Sequence, residues 1–186
     1  MHLKKSLKAL FILNGVFVLA SHLLGPLYAV FVQDEIGGTA FIVSVSWSVF
    51  IISSLIFTLF ITKYGDRVKE REYLLAAGFL VRAISWALYI FATNLYALLA
   101  IQVLIGLGEA LGSPAFSALL AQHINQKKAV REYAIWSIVA KIAAATSTAI
   151  GGIVVANYSF TPVFIAMTIL ALVSFLMLLR LPRRLL

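Results

Sequence analysis

The sequence predicts an all-α integral membrane protein. It forms one bundle of six transmembrane helices, built as two inverted repeats of three, with both termini cytoplasmic. Three observations predict this. Of the 186 residues, 62% are hydrophobic and only 12% charged, where a soluble domain carries about 25% charged residues. Six apolar runs are long enough to cross a bilayer, which takes about 20 residues. Lys and Arg fall in every second connection between those runs, the pattern that marks cytoplasmic loops. The same composition excludes disorder, which needs low hydrophobicity. The absence of cysteine excludes a disulfide scaffold and a thiolate metal site.

The runs follow in order. Lys4, Lys5 and Lys8 precede the first, residues 9–32. It exceeds the roughly 7–15-residue core of a secretory signal, so it reads as a span. Asp34 and Glu35 lie in the connection to the second run, residues 40–62. Lys63, Arg67, Lys69 and Arg71 lead to the third, residues 73–92. A short connection at Thr93-Asn94 leads to the fourth, residues 95–121. Lys127, Lys128 and Arg131 lead to the fifth, residues 130–156. Asn157, Tyr158 and Ser159 lead to the sixth, residues 160–179, which ends at Arg180, Arg183 and Arg184. Backbone polar groups in lipid must be satisfied within the segment, so each run is helical. A β-barrel would need segments of about ten residues alternating apolar and polar, and these runs are too long and too uniform.

A shift of 88 residues lays the first span on the fourth. Asn14 falls on Gln102, Ser21 on Glu109, Gly25 on Ser113 and Pro26 on Pro114. A shift of 89 lays Trp47-Ser48 on Trp136-Ser137. The two triplets of spans cross the membrane in opposite senses, so the repeat is inverted, as in many secondary transporters.

Polar and small residues line single helical faces. Asn14, Val18, Ser21, Gly25 and Tyr28 form one stripe, Gln102, Gly106, Glu109 and Ser113 a second, Ser137, Lys141, Ala144 and Thr148 a third. Such stripes serve helix packing or line a polar pathway. Arg82, Glu109 and Lys141 stand mid-span, where a charge costs roughly 2.5–3.5 kcal/mol on insertion scales. They are expected to face the interior or a cavity. Glu109 with Lys141 is the favoured pair, with Arg82 as the competing partner. A structural ion pair and a solute or proton site both fit. Glu109 is the one carboxylate in the middle of a span and the candidate proton carrier, although a neighbouring cation would oppose that role. His22 is the one histidine inside a span, fit for protonation or for hydrogen-bonded packing. Pro26 and Pro114 are expected to kink their helices. Trp47, Trp86 and Trp136 are expected to pack or to sit at the interface.

The connection after the second span reads Thr62-Lys63-Tyr64-Gly65-Asp66-Arg67-Val68-Lys69-Glu70-Arg71. It resembles the cytoplasmic signature Gly-x-x-x-Asp-Arg-x-Gly-Arg-Arg/Lys of the major facilitator superfamily (MFS). Asp66, Arg67 and Arg71 match, while Thr62, Lys69 and Glu70 depart. The fourth span, with Gly106, Gly108 and Pro114, resembles the family's Arg-x-x-x-Gly-x-Gly segment. Gln102 stands where the Arg linked to proton coupling would be. The fifth span keeps only Gly151 and Gly152 of the antiporter signature. The resemblance covers essentially the whole chain and implies the N-terminal six-helix half of an MFS fold. It further implies a carrier of a small solute or drug working by alternating access, in a plasma or bacterial inner membrane. Asp66, Arg67 and Arg71 would form a gating loop.

The expected pathway residues are Asn14, Ser21, His22, Arg82, Gln102, Glu109 and Lys141. Gly25, Pro26, Gly106, Gly108, Pro114, Gly151 and Gly152 are expected to pack or kink helices. The expected partners are the bilayer, a solute and a second six-helix half, supplied by the same chain, a homodimer or another protein. No cofactor, metal or nucleic acid is expected. A rhomboid-like protease, which also has six spans, would need a nucleophilic serine in a Gly-x-Ser-Gly setting and a histidine on another span. Ser113 precedes Pro114 and the sixth span has no histidine. The alternative function is a non-transporting subunit that packs against another membrane protein.

Overall fold

A computed structural model describes residues 4–65 and 70–181. Asp66 and Arg67 of the expected gating loop, together with Lys69, Arg183 and Arg184, lie outside the described residues.

Six membrane-length helical segments account for the described chain. The first is broken into α1 (Lys5–His22) and α2 (Tyr28–Asp34) by a 3-10 turn at Gly25–Leu27. The others are α3 (Ala40–Tyr64), α4 (Arg71–Leu88), α5 (Leu95–His123), α6 (Ala129–Asn157) and α7 (Phe160–Arg180). α4 continues through a 3-10 turn at Tyr89–Phe91. The expected spans therefore fall on the observed helices, with ends that differ by a few residues. The break in the first span lies at Gly25-Pro26, where glycine takes φ +25° and proline withholds a backbone N–H. α5 runs on through Pro114 without interruption.

The helix ends are set by short polar signals. Asn94 accepts from Ala97 N at 2.9 Å and starts α5, the side-chain cap favoured at a helix N-terminus. Thr39 stands at the same position ahead of α3. Between α5 and α6, the Glu132 carboxylate accepts from Asn125 N at 2.8 Å and Asn125 accepts from Lys127 N at 3.0 Å. Gly37, at φ +71°, lets the chain reverse between α2 and α3, in a conformation that costs glycine little.

The bundle is tightest along α4. It packs against α5 on one side and α7 on the other, α5 packs in turn against α3, and α1 packs against α6 and α7. Lipid supplies no hydrophobic drive for helix pairing, so close van der Waals approach decides which helices meet. A Cβ on Gly78 would stand 2.7 Å from the Gly112 backbone, so α4 and α5 cross backbone to backbone there. A Cβ on Gly106 would stand 2.8 Å from Ser53, where α5 crosses α3. A Cβ on Gly151 would run into the Leu23 carbonyl, where α6 crosses the end of α1. Gly152, expected to pack, meets nothing within 4 Å. It lies one residue, about 100° of helix, away from the contact that Gly151 makes.

Hydroxyl-to-carbonyl bridges add to these crossings. Ser53 Oγ donates to Val103 O at 2.9 Å, Thr148 Oγ1 donates to His22 O at 3.2 Å, and Ser147 Oγ donates to Leu19 O. An aromatic core closes the end away from the termini, called here the distal end. The Phe31 ring lies 5.4 Å from Tyr89 and from Phe160, and 5.0 Å from Phe164.

The six segments are not equally covered. Across the apolar cores of α3 and α6 only 11% of residues are buried by the rest of the chain, against 33–44% in the other four.

Candidate functional site

The site is built where α1, α4 and α5 face one another at mid-height. Arg82 on α4 and Glu109 on α5 form an ion pair, with Arg82 Nη2 donating to Glu109 Oε2. α5 admits the arginine because Gly108 has no side chain. A Cβ there would stand 2.6 Å from Arg82 Cγ. The guanidinium also lies under the Phe17 ring, 4.9 Å from its centroid, a cation–π contact that gains strength away from water. Its Nε is buried and has no acceptor among the described residues.

This pairing corrects the expectation that Glu109 would pair with Lys141. Helical period puts residues on one face, but a stripe does not say which helix it faces. α5 packs tightly on α4 and α3, which puts Arg82 within reach. Lys141 is exposed and, among the described residues, has no ion-pair partner. Its expected interior place is not found among the described residues.

Two cavities meet at the Arg82–Glu109 pair. The distal one, about 200 Å³, is lined by Ser21, Gly25, Tyr28, Trp47, Phe50, Trp86, Tyr89 and Gln102 together with the pair. The other, about 150 Å³, lies toward the ends that carry the chain termini and is lined by Asn14, Phe17, Ser21, Phe79, Gly112, Ser113 and Phe116 with the same pair. Ser21, Arg82 and Glu109 belong to both. The charged pair thus separates a recess on one side from a recess on the other.

The wall of the distal cavity holds a buried chain of hydrogen bonds. Tyr28 and Ser46 hydroxyls are 2.6 Å apart, and Gln102 Nε2 donates to Tyr28 Oη. Gln102 and Ser46 are buried, so leaving either unpaired would carry a desolvation cost. The chain ties α2, α3 and α5 together at one point.

Of the expected pathway residues, Asn14, Ser21, Arg82, Gln102 and Glu109 line one or both cavities. His22 lines neither. Its Nδ1 stands 3.0 Å from Val18 O and from Ser21 Oγ, so its ring folds back on its own helix. Tyr28, Trp47, Trp86 and Phe17 belong to the site as well, although the sequence marks them only as stripe, packing or apolar residues. Arg71 lies at the exposed start of α4, away from both cavities. Among the described residues, no group of His, Asp or Glu gathers as a metal site would.

Residues 10–185 match the Major Facilitator Superfamily. The chain belongs to that family. At family level it is therefore an MFS-type membrane transporter rather than an enzyme, in keeping with its six apolar helices. No curated protein matches the chain.

Proposed function

We propose that the chain is half of a secondary active carrier that moves a small solute by alternating access, with the solute bound at the Arg82–Glu109 pair. The observation that carries this reading is the pair's position between two cavities, one lined by residues toward the distal end and the other by residues toward the termini. A site reached from one side and then from the other needs a polar centre with a recess on each side. A purely structural ion pair needs neither recess.

The packing pattern supports a repeat of three plus three. The close pairs are second span with fourth, third with fourth, third with sixth, first with fifth and first with sixth. Exchanging first with fourth, second with fifth and third with sixth returns the same set. The glycine and serine crossings follow suit, with Ser53 and Gly106 joining second to fourth, and Ser147 and Gly151 joining fifth to first. The Lys and Arg distribution supports cytoplasmic termini, with Asp66, Arg67 and Arg71 as the gating loop. The sparse cover on α3 and α6 supports a second six-helix half laid against them, from the same chain, a homodimer or a partner. Lys141 stands on that side of α6. It is two turns from Thr148, whose Oγ1 lies 3.6 Å from where a Cβ on Gly25 would be.

Membrane vesicles from cells making the full chain, loaded with a mixture of small cationic, anionic and neutral solutes, test the reading. Chain-dependent release of a solute, lost in Glu109→Gln with folding intact, is the expected outcome. Release that is unchanged in both Glu109→Gln and Lys141→Ala contradicts the site. Absence of chain-dependent release favours the second reading, a non-transporting membrane subunit, for which the uncovered faces of α3 and α6 are the observation in favour.

A further inference from the structure

The distal cavity presents its two charges unequally. Arg82 is turned under Phe17, with its side chain only 12% exposed, whereas Glu109 is 36% exposed. Arg82 takes Glu109 Oε2, and among the described residues no donor reaches Oε1. The distal cavity that Glu109 borders is also lined by Tyr28, Trp47, Phe50, Trp86 and Tyr89. A ligand entering there meets one carboxylate edge and several aromatic faces. Both attract a cation, and a carboxylate repels an anion. Arg82, the one cation lining the cavity, is taken up by Glu109 and Phe17, and Lys141 lines neither cavity.

We propose that the distal cavity binds an organic cation, its ammonium held by Glu109 and its apolar body lodged among Tyr28, Trp47 and Trp86. A volume of about 200 Å³ falls below the usual range for drug-sized ligands, about 300–1,000 Å³. The ligand is therefore of one ring or equivalent bulk. The inference deepens the carrier reading, on which it rests for the cation being cargo.

The full chain in lipid nanodiscs is titrated with benzyltrimethylammonium, and with phenylacetate and benzyl alcohol as anionic and neutral counterparts, following tryptophan fluorescence. Saturable binding of the cation, about tenfold or more tighter than phenylacetate, is expected. Glu109→Gln should weaken it by a similar factor, and Trp47→Leu by less. Trp47 is 50% exposed, so the latter variant keeps the test alive if Glu109→Gln fails to fold. Phenylacetate binding as tightly as the cation overturns the proposal. So does a cation affinity unchanged in a folded Glu109→Gln or in Trp47→Leu. Cation binding without vesicle flux contradicts the carrier reading and leaves the cation site standing. Flux of another solute without cation binding does the reverse.

Discussion

The α4–α5 crossing and the outer face of α6 treat a mid-membrane charge in opposite ways. At the crossing, Gly78, Gly108 and Gly112 bring two backbones together, and Arg82 finds Glu109 and the Phe17 ring inside the bundle. On α6, Lys141 stands exposed beside the exposed Ile138 and Ile142, on a helix that the chain scarcely covers. The first charge is compensated by its own bundle. The second has no counter-charge among the described residues, and a cation facing lipid at that depth is costly. The difference separates a charge neutralised within the bundle from one that is not.

The strongest way to break the crossing is steric. Gly78→Val would drive side-chain atoms into the Gly112 backbone, and Gly151→Val would do the same against the Leu23 carbonyl. Backbone cannot yield as a flexible side chain does, and overpacking costs about 1–3 kcal/mol or more. Both variants are expected to lose most folded protein on detergent extraction, read by size-exclusion fluorescence. Gly152→Val, with nothing within 4 Å, should extract as the parent does.

A smaller effect is expected at the hydrogen-bond chain. Gln102→Leu removes the donor to Tyr28 while the Tyr28–Ser46 bond remains. A cost of about 1 kcal/mol is expected, seen as a modest drop in Tm. Ser46→Ala, with the Gln102 bond kept, should cost about the same. The smallest effect belongs to α6. Lys141→Met should leave the Tm of the isolated chain within about 0.5 kcal/mol equivalent of the parent, because no ion-pair partner is lost. A large loss of stability in Lys141→Met would show that the comparison is drawn wrongly.

The spans were legible because membrane helices announce themselves by length, apolarity and flanking cations. The Gly25-Pro26 pair likewise marked the break in the first span. Faces were legible through helical period, so Asn14, Ser21, Gln102 and Glu109 were found. Neighbours were not. Helical period places Glu109 and Lys141 on polar faces but says nothing of which faces touch, and the pairing went to Arg82. One signal was present and unused. Gly108-x-x-x-Gly112 is the small-residue spacing of a close helix crossing, and it points α5 toward a tight partner. Trp47 and Trp86 were hidden because an aromatic residue in an apolar span looks the same whether it packs, anchors or lines a cavity. Of the two roles open to His22, the hydrogen-bonded one is observed, since a titratable side chain can satisfy itself on its own helix.

The central claim is that Glu109 belongs to Arg82 and not to Lys141. Two double-mutant cycles, read by thermal unfolding in lipid nanodiscs, test it most directly. One combines Arg82→Gln with Glu109→Gln, the other Lys141→Gln with Glu109→Gln. The account predicts a coupling of about 0.5–3 kcal/mol in the first and additivity in the second. Coupling in the second cycle with additivity in the first would contradict it.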